Sequence, residues 1–319
     1  MYDIIVVGGG PAGLTAAVYA RRAGKTVLVI EKAAFGGQIT WSPKVENFPG
    51  SVSISGTELG DRLLEQAMEQ GAEVELEEIV SISRTDSASY GTEESPDGEQ
   101  KNIRPNFILM AESGAEYEDS AVIFAAGAKP RTIGLDREEE LTGQGVCYCA
   151  VCDGAFYRGR PVAVYGGGNS ALQDALLLSE KCSRVWLVHR RDSFRGEAML
   201  VKALEARENV EFVMNSTVTG LLGEEELKGI KLLTDGKERS LDVDGLFVAI
   251  GHRPDNSLIS ALAELDGSGY AVADESCGTK TPGLFVAGDC RTKKIRQVTT
   301  ACADGAVAAL SACAYIDGN

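Results

Sequence analysis

Hydrophobic and polar positions alternate along the chain in blocks that predict strands and helices in succession. Short β-branched and aliphatic runs at 3–7, 26–30 and 121–127 are typical of strands buried on both faces of a parallel sheet. Residues 14–23 and 57–71 carry apolar side chains at the spacing of a helix packed on one face. This alternation predicts an α/β fold.

The same strand–helix–strand pattern recurs in the second half of the chain. A strand at 161–165, a helix that ends near residue 180 and a strand at 184–188 form a second βαβ unit. Two such units predict two Rossmann-like three-layer nucleotide-binding domains. Helix or strand is also predicted at 201–215, 227–234, 241–250, 283–287 and 299–314.

A polar, acidic and turn-rich stretch at 85–99 interrupts this pattern. Strand-like runs flank it at 78–83 and 106–110. We therefore expect a hairpin with a long, mobile tip, and we assign no function to it.

A glycine fingerprint joins the first predicted strand to the first predicted helix. Gly8, Gly10 and Gly13 occupy the positions of G-x-G-x-x-G, where glycine makes the tight turn and lets the backbone approach a pyrophosphate at the helix N-terminus. Glu31 ends the next strand, where an acid binds both hydroxyls of an adenosine ribose and repels a 2′-phosphate. This site is therefore expected to bind FAD or NAD.

The second fingerprint ends differently. Gly166, Gly168 and Ala171 follow the 161–165 strand as G-x-G-x-x-A, and the strand after them leads into a basic loop rather than an acid. Arginine offers a planar, bidentate clamp for a 2′-phosphate. We therefore predict that this site prefers NADPH to NADH, with a clamp formed by Arg190, Arg191 and Arg195.

Composition narrows the class of partner. The net charge of −16 argues against nucleic acid or an anionic membrane, since both attract basic surfaces. The N-terminus shows no targeting segment, and no apolar run approaches the ~20 residues needed to span a bilayer. We expect a cytoplasmic protein, and eight cysteines in a reducing compartment are not a structural disulfide framework.

A Cys-x-x-Cys pair lies directly before the second fingerprint. Cys149 and Cys152 are followed at once by Asp153. A dithiol between two dinucleotide sites suggests an electron path from one nucleotide through the other to a disulfide. The alternative is a zinc or iron–sulfur sensor, but no second Cys-x-x-Cys or His pair supplies an evident fourth ligand. We therefore expect no metal.

Taken in order, these motifs resemble the low-molecular-weight, NADPH-dependent thioredoxin reductases of bacteria over nearly the full chain. The resemblance implies a homodimer with an FAD domain formed by 1–130 and 254–319, and an NADPH domain at 131–253 inserted into it. It implies that Cys152 faces the flavin, that Cys149 attacks thioredoxin and that Asp153 is the acid. The motifs that carry it are GGGPAG at 8–13, CAVCD at 149–153, GGGNSA at 166–171, HRRDSFR at 189–195, AGD at 287–289 and RQ at 296–297.

The resemblance also implies the two binding sets. The FAD set is Gly8, Gly10, Pro11, Ala12, Gly13, Glu31, Lys32, Gly37, Gln38, Asn47, Ala126, Gly127, Gly288, Asp289, Arg296, Gln297 and Val298. The NADPH set is Gly166, Gly168, Asn169, Ser170, Ala171, His189, Arg190, Arg191 and Arg195. Two features depart from the family: the 85–103 hairpin is longer than usual, and Cys147 stands where a small residue such as serine is usual. A third thiol leaves a Cys147–Cys149 side reaction open.

Hydride is expected to pass from NADPH to FAD and then to the Cys149–Cys152 disulfide, with Asp153 supplying a proton if burial raises its pKa. A dithiol on the flavin cannot also reach a partner protein, so we expect the inserted domain to rotate about crossings at 128–131 and 251–255.

The alternative functions are a flavoprotein that reduces a glutaredoxin-like or peroxiredoxin-system partner, an oxygen-using dithiol oxidase and a ferredoxin-driven reductase. The oxidase and the ferredoxin-driven reductase need no arginine clamp, so the arginines at 190, 191 and 195 count against both.

Overall fold

The structure of the protein is a computed structural model that describes residues 1–42, 44–85, 92–94, 100–102 and 107–318. Its helices are α1 (Pro11–Arg22), α2 (Gly56–Glu69), α3 (Ala150–Asp153), α4 (Asn169–Ser179), α5 (Ala198–Glu205) and α6 (Val298–Asp317). Its strands are β1 (Tyr2–Val7), β2 (Val27–Glu31), β3 (Glu73–Leu76), β4 (Ile79–Arg84), β5 (Thr92–Glu94), β6 (Gln100–Asn102), β7 (Phe107–Ala111), β8 (Glu116–Phe124), β9 (Ala128–Pro130), β10 (Val146–Cys147), β11 (Pro161–Gly166), β12 (Arg184–Val188), β13 (Val210–Val213), β14 (Ser216–Leu222), β15 (Gly229–Thr234), β16 (Lys237–Leu241), β17 (Gly245–Ala249), β18 (His252–Pro254) and β19 (Leu284–Val286).

The first sheet has the order β3-β2-β1-β8-β7-β4, with β19 paired to β8. Strands β3, β2, β1, β8 and β19 are parallel, whereas β7 and β4 add an antiparallel edge. The β-branched runs form the centre of this sheet because both of its faces are covered, and Ile4, Ile5 and Val6 are fully buried.

The second sheet is parallel throughout, in the order β10-β17-β11-β12-β13. Its core includes the fully buried Val162, Val164 and Leu187. An antiparallel sheet, β14-β15-β16, accompanies it. Both sheets follow the dinucleotide-binding arrangement that the sequence predicts.

The second sheet interrupts the first along the chain. Strand β8 precedes it and β19, which pairs with β8, follows it. The two connecting segments pair with each other as the antiparallel strands β9 and β18, with His252 opposite Pro130 and Pro254 opposite Ala128. The second unit is thus inserted into the first through one short two-stranded ribbon.

The strand and helix predictions are largely confirmed, with shifted boundaries. The 201–215 segment holds the helix α5 and the strand β13, and the strand predicted at 121–127 begins earlier, at Glu116. Strands β3, β14 and β16 were not predicted: β3 has only four residues, and β16 carries exposed polar side chains at four of its five positions, so it shows no apolar period. The flanking strands β4 and β7 pair as expected, and of the mobile tip predicted at 85–99, residues 86–91 and 95–99 lie outside the described residues.

The C-terminal helix α6 corrects one expectation about hydropathy. Within the described residues it is the one helix long and apolar enough, at a mean hydropathy of 1.3, to meet the criterion for a membrane span. Its small side chains Ala301, Ala308 and Ala312 are buried, and the helix packs on α1. A Cβ at Gly305 would lie 2.1 Å from the carbonyl oxygen of Ala12. Close packing in the core therefore explains the small residues on the buried side of α6, whereas Val307 and Leu310 of the same helix are exposed.

Candidate active site

The first fingerprint forms a glycine cradle at the carboxyl end of β1. Gly8 has a φ of +113°, and a Cβ there would lie 2.4 Å from the Ala125 carbonyl oxygen. A Cβ at Gly13 would lie 1.9 Å from the Gly8 carbonyl oxygen. Only glycine fits at these two positions, because any side chain would overlap neighbouring backbone atoms. Pro11 is the first residue of α1. The cradle presents the N-terminus of α1, as a pyrophosphate site requires.

The Glu31 carboxylate faces this cradle. Its Oε2 accepts a hydrogen bond of 2.7 Å from the Gly9 N–H, and its Oε1 accepts one of 2.9 Å from the Ala33 N–H. Each carboxylate oxygen keeps a lone pair that can accept from a ribose hydroxyl. A cavity of about 310 Å³ opens beside it, and its lining includes Gly8, Glu31, Lys32, Ala126 and Gly127. The structure thus brings these five predicted residues to one opening.

The Gly288–Asp289 turn follows β19 at the same edge of the sheet. Asp289 Oδ1 is buried with no hydrogen-bond partner among the described residues, and burial raises the pKa of this carboxyl. A buried carboxyl oxygen without a partner is costly unless a ligand supplies one. The ribityl hydroxyl of a flavin is such a partner.

A buried ion cluster that the sequence did not reveal holds this turn. Asp304 of α6 accepts a 3.1 Å hydrogen bond from the Gly288 N–H through Oδ2. It also pairs with Arg291 and Lys293, each at 2.9 Å, and all three side chains are at most 14% exposed. The available signal was a carboxylate in the middle of the small-residue helix α6.

Five further members of the expected FAD set lie at or beside contacts between separate segments. Gln38 donates a 2.8 Å hydrogen bond to the Ala128 carbonyl, and Asn47 donates one of 3.3 Å to the Gln297 side chain. Gln297 caps α6, whose first residue is Val298. The Arg296 guanidinium stacks on Tyr270 and donates to the Asp289 carbonyl at 3.3 Å, so it braces the turn.

Gly10, Ala12 and Gly37 lie close to the cradle. Gly37 has a φ of +64°, and a Cβ there would lie 3.1 Å from the Gly10 Cα. A Cβ at Gly288 would lie 2.9 Å from the Ala12 Cβ. The loop after β2, the fingerprint and the turn after β19 therefore converge on one place.

The second fingerprint repeats the cradle on β11. A Cβ at Gly166 would lie 2.3 Å from the Ala249 carbonyl oxygen, whereas Gly168 has open space in front of it. Asn169 opens α4 and exchanges hydrogen bonds of 2.8 and 2.9 Å with Glu197. Ala171 is buried and Ser170 is exposed. An open backbone at Gly168 and the N-terminus of α4 suit a second pyrophosphate.

His189 differs from its basic neighbours. Its ring lies over Gly167, its Nε2 lies 3.1 Å from the Ser193 carbonyl oxygen, and burial lowers the pKa of this imidazole. The lowered pKa favours the neutral ring, and its contact with the Ser193 carbonyl holds the loop. Arg190, Arg191 and Arg195 are exposed, and no described residue forms an ion pair with them. These guanidinium groups are therefore available to an anion.

The dithiol segment follows β10 at one edge of the second sheet. Cys149 and Cys152 form a disulfide with a Cα–Cα distance of 5.3 Å. The Cys152 N–H donates to Cys149 Sγ at 3.2 Å, at the start of α3. Hydrogen bonding to sulfur favours the thiolate of Cys149 after reduction. Among the described residues no cluster of three or more His, Cys, Asp or Glu side chains could hold a metal ion.

The adjacent Asp153 has the properties of an acid. Burial raises the pKa of its carboxyl to about 6, and hydrogen bonding to Cys147 acts in the opposite direction. Cys147 itself is a free, buried thiol whose Sγ lies 3.3 Å from Tyr157 Oη. The expected elevation of the Asp153 pKa is therefore present.

Parallel pairing places each set at one edge of its sheet. The first cradle, Glu31, Gly127 and Asp289 follow β1, β2, β8 and β19, whose carboxyl ends coincide. The dithiol, the second cradle and the arginine loop follow β10, β11 and β12 in the second sheet. The carboxyl edge is where open α/β sheets bind nucleotides.

The chain belongs to the pyridine nucleotide-disulphide oxidoreductase family, whose model matches residues 2–305. It is 39% identical over 320 residues to the thioredoxin reductase of Listeria monocytogenes, covering 99% of this chain and 94% of that one. The solved thioredoxin reductase of Streptococcus pyogenes is 34% identical and superposes with a TM-score of 0.88, covering 100% and 99%. The Lactococcus lactis thioredoxin reductase in its FR conformation is 31% identical, with a TM-score of 0.66 over 100% of both chains. Family membership gives the cofactors as FAD and NADPH, and the orphaned Asp289 oxygen and the two cradles fit them.

Proposed function

We propose that the protein is an NADPH-dependent thioredoxin-disulfide reductase. The observation that carries this proposal is the Cys149–Cys152 disulfide, which shares the carboxyl edge of one sheet with a second nucleotide cradle and an arginine loop. Such an arrangement couples a nucleotide reductant to a disulfide. The Listeria relative is a thioredoxin reductase, and the similarity to it covers nearly its whole length.

The two cradles hold the two cofactors. When bound, FAD would supply the chemistry that accepts a hydride from NADPH and passes two electrons to the disulfide. Glu31 would hold the adenosine ribose and Asp289 the ribityl chain, while Arg190, Arg191 and Arg195 would clamp the 2′-phosphate of NADPH. The acid at the first site repels a 2′-phosphate and the arginines at the second site attract one, so charge directs each nucleotide to its own site.

Reduction of the disulfide requires a proton as well as electrons. When the bond between the two sulfurs breaks, Cys152 would be the sulfur that serves the flavin and Cys149 the sulfur that serves the partner protein. Asp153 lies next to Cys152 and gives its proton to the emerging thiolate. A carboxyl with a pKa of about 6 can donate to a thiolate and regain a proton near neutral pH.

Transfer to the partner is thiol–disulfide exchange. The Cys149 thiolate attacks one sulfur of oxidised thioredoxin and forms a mixed disulfide. Cys152 then attacks the Cys149 sulfur of this mixed disulfide and releases the thioredoxin, and its proton passes to the departing thiolate. The products are reduced thioredoxin and the original Cys149–Cys152 disulfide. The Cys152 N–H stabilises the attacking thiolate.

The dithiol must move between two positions, and we assign this motion to rotation of residues 131–253 against 1–130 and 254–319. Support comes from the β9–β18 ribbon that joins the two parts and from the two TM-scores. The identities of 34% and 31% are similar, so the drop from 0.88 to 0.66 is consistent with a different orientation of similarly folded parts. In the present orientation Lys44 lies over the ring of Phe156, 5.7 Å from its centroid, and links the parts.

The proposal includes a homodimer in the cytoplasm. Tyr19 of α1 and Val307 and Leu310 of α6 are 43%, 38% and 54% exposed, and such an apolar surface suits a second copy. The six cysteines outside the disulfide are free, as in proteins of reducing compartments. Sedimentation of the wild type and of Leu310→Glu tests the dimer, which should dissociate in the variant.

An anaerobic titration tests the function. The purified protein should show a flavin spectrum that NADPH bleaches and NADH does not, and added thioredoxin disulfide should restore the colour. A colourless protein would contradict the FAD assignment, and equal bleaching by NADH would contradict the arginine clamp. Failure of thioredoxin to restore the colour would contradict the substrate.

A further inference from the structure

Glu138 is a buried carboxylate that has no task in the reaction described above. It lies between the ribbon strand β9 and the dithiol segment, and it is 4% exposed. A charge taken out of water in this way is tolerated only when hydrogen-bond donors surround it. The two oxygens of a carboxylate offer about four sites for such donors, and the structure supplies a donor to each of them.

Three of these donors are backbone N–H groups of the loop that follows β9. Glu138 Oε1 accepts a hydrogen bond of 2.8 Å from the Ile133 N–H. Glu138 Oε2 accepts bonds of 2.7 Å from Gly134 and 3.2 Å from Leu135. The carboxylate therefore fixes the conformation of the chain where it leaves the β9–β18 ribbon.

The fourth donor is the hydroxyl of Tyr148, the residue directly before Cys149. Its Oη donates to Glu138 Oε1 at 2.9 Å, and its ring packs against the core that contains Leu141 and Leu246. Burial raises the pKa of this phenol and the Glu138 contact adds to the rise, so the hydroxyl keeps its proton at neutral pH. One carboxylate thus connects the loop after the ribbon to the dithiol segment.

This connection has its largest effect when the disulfide is open. In the oxidised protein the bond between the two sulfurs itself holds Cys149 beside Cys152. After reduction that bond is gone, and the place of Cys149 depends on the backbone around it. A fixed side chain on the preceding residue restricts that backbone, and so keeps the two sulfurs close enough to form the bond again.

We propose that Glu138 and Tyr148 are positioning residues for the dithiol, which hold Cys149 in place for closure onto Cys152. This inference rests on the proposed function, because it concerns the dithiol of that reaction. Neither residue passes an electron or a proton. Their contact acts on the equilibrium between dithiol and disulfide, because holding the two thiols together favours the disulfide.

Tyr148→Phe removes one oxygen atom and retains the ring. The dithiol–disulfide equilibrium should then shift towards the dithiol by about 3- to 10-fold, the range expected for one buried hydrogen bond. The midpoint potential should become about 15–30 mV less negative, since a tenfold change is about 30 mV for a two-electron couple. Glu138→Gln replaces the charged acceptor by a weaker neutral one, and the potential should shift in the same direction.

Equilibration with reduced and oxidised lipoic acid measures this potential without thioredoxin. The holoenzyme is held anaerobically at a series of ratios, quenched with acid and alkylated, and mass spectrometry gives the labelled fraction of Cys149. Tyr117→Phe is the matched control, because Tyr117 is another half-buried tyrosine whose Oη donates to a glutamate, Glu77, at 2.8 Å, in the first unit. Both Phe variants should lose similar thermal stability, whereas only Tyr148→Phe should shift the potential.

An unchanged potential in Tyr148→Phe, a shift towards the disulfide, or an equal shift in Tyr117→Phe would overturn the inference. If Tyr148→Phe does not fold, Glu138→Gln gives the same readout with the same expected direction. The double variant should shift no further than the larger single shift, because both changes remove one contact, and additive shifts would contradict the proposal. Reduction of thioredoxin by the wild type would still stand after such a result, so failure here is distinguishable from failure of the proposed function.

Discussion

At the scale of single residues, the chemistry depends on how the protein surrounds Cys149, Cys152 and Asp153. The sequence predicted these three residues because their spacing and position between two fingerprints are specific. It could not predict the environment of Cys147, since the Tyr157 contact arises only when β10 and the turn after α3 are packed together. Neighbouring residue types reveal chemistry, whereas burial and hydrogen bonding require the fold.

Removing the acid should slow the step that reduces the dithiol. Asp153→Asn keeps the shape and loses the proton, so turnover with thioredoxin should fall by about 10²–10³-fold. In the wild type the protonated fraction of Asp153 falls as pH rises through about 6, so the reductive step should slow in that range. Stopped-flow measurement from pH 5 to 8 checks both points, and a variant with wild-type rates would exclude Asp153 as the acid.

Replacing the outer sulfur should separate the two half-reactions. Cys149→Ser should abolish electron transfer to thioredoxin and leave bleaching of the flavin by NADPH intact, because the nucleotide sites do not use this side chain. Cys182→Ala, another buried cysteine of the second unit, serves as the control and should retain both activities. Transfer by the Cys149→Ser variant would contradict the assigned roles.

At the scale of elements, the sequence predicted the glycine fingerprints and the acid or arginines that follow the next strand. Glycine marks the places where backbone segments come close together, and acidic or basic residue types give the charge directly. The turn after β19 was only partly predicted. Its Gly288–Asp289 pair was recognised, but the Asp304 carboxylate that binds the Gly288 N–H lies on α6, far along the chain. Long-range ion clusters leave no periodic pattern in the sequence.

Disruption of that cluster should weaken flavin retention. Asp304→Ala leaves Arg291 and Lys293 as buried cations without their carboxylate and releases the Gly288 N–H. Loss of a buried ion-pair partner costs about 3–5 kcal/mol, so the variant should purify with little FAD and unfold at lower temperature. Asp317→Asn, on the same helix but half exposed, is the control and should retain FAD. Full flavin content in Asp304→Ala would show that the cluster does not support the turn.

The arginine loop should set the choice of nicotinamide nucleotide. Replacing Arg190 and Arg191 by Ala removes charge-assisted hydrogen bonds of about 1.5–3 kcal/mol each, and kcat/KM for NADPH should fall by at least 10-fold. The value for NADH should change little, because NADH lacks the 2′-phosphate. Steady-state kinetics with both nucleotides measure the ratio, and an unchanged ratio would place the 2′-phosphate elsewhere.

At the scale of the whole molecule, two sheets carry two candidate nucleotide sites, and the β9–β18 ribbon joins the two units. The insertion follows from β19 pairing with β8 across the second unit. The sequence predicted the crossings near 128–131 and 251–255, whereas the pairing of these segments as β9 and β18 emerges from the structure. The relative orientation of the two units depends on few contacts, so it is the feature that the residue pattern of the sequence predicts least well.

Locking this orientation should stop turnover. Lys44→Cys and Phe156→Cys place thiols on either side of the contact between the two parts, where a short bismaleimide can bridge them. Thioredoxin reduction should fall at least 10-fold after bridging, because the dithiol can no longer alternate between its two positions. The unbridged double variant and each treated single variant should remain active. Full turnover in the bridged protein would contradict rotation.

The most direct test of the central claim is identification of the sulfur that attacks thioredoxin. Cys152→Ser is reduced and mixed with a thioredoxin that retains one active-site cysteine, activated with 2-nitro-5-thiobenzoate. Mass spectrometry should find a stable mixed disulfide at Cys149, formed with release of the coloured thiol. A linkage at Cys147, or no linkage at all, would contradict the account.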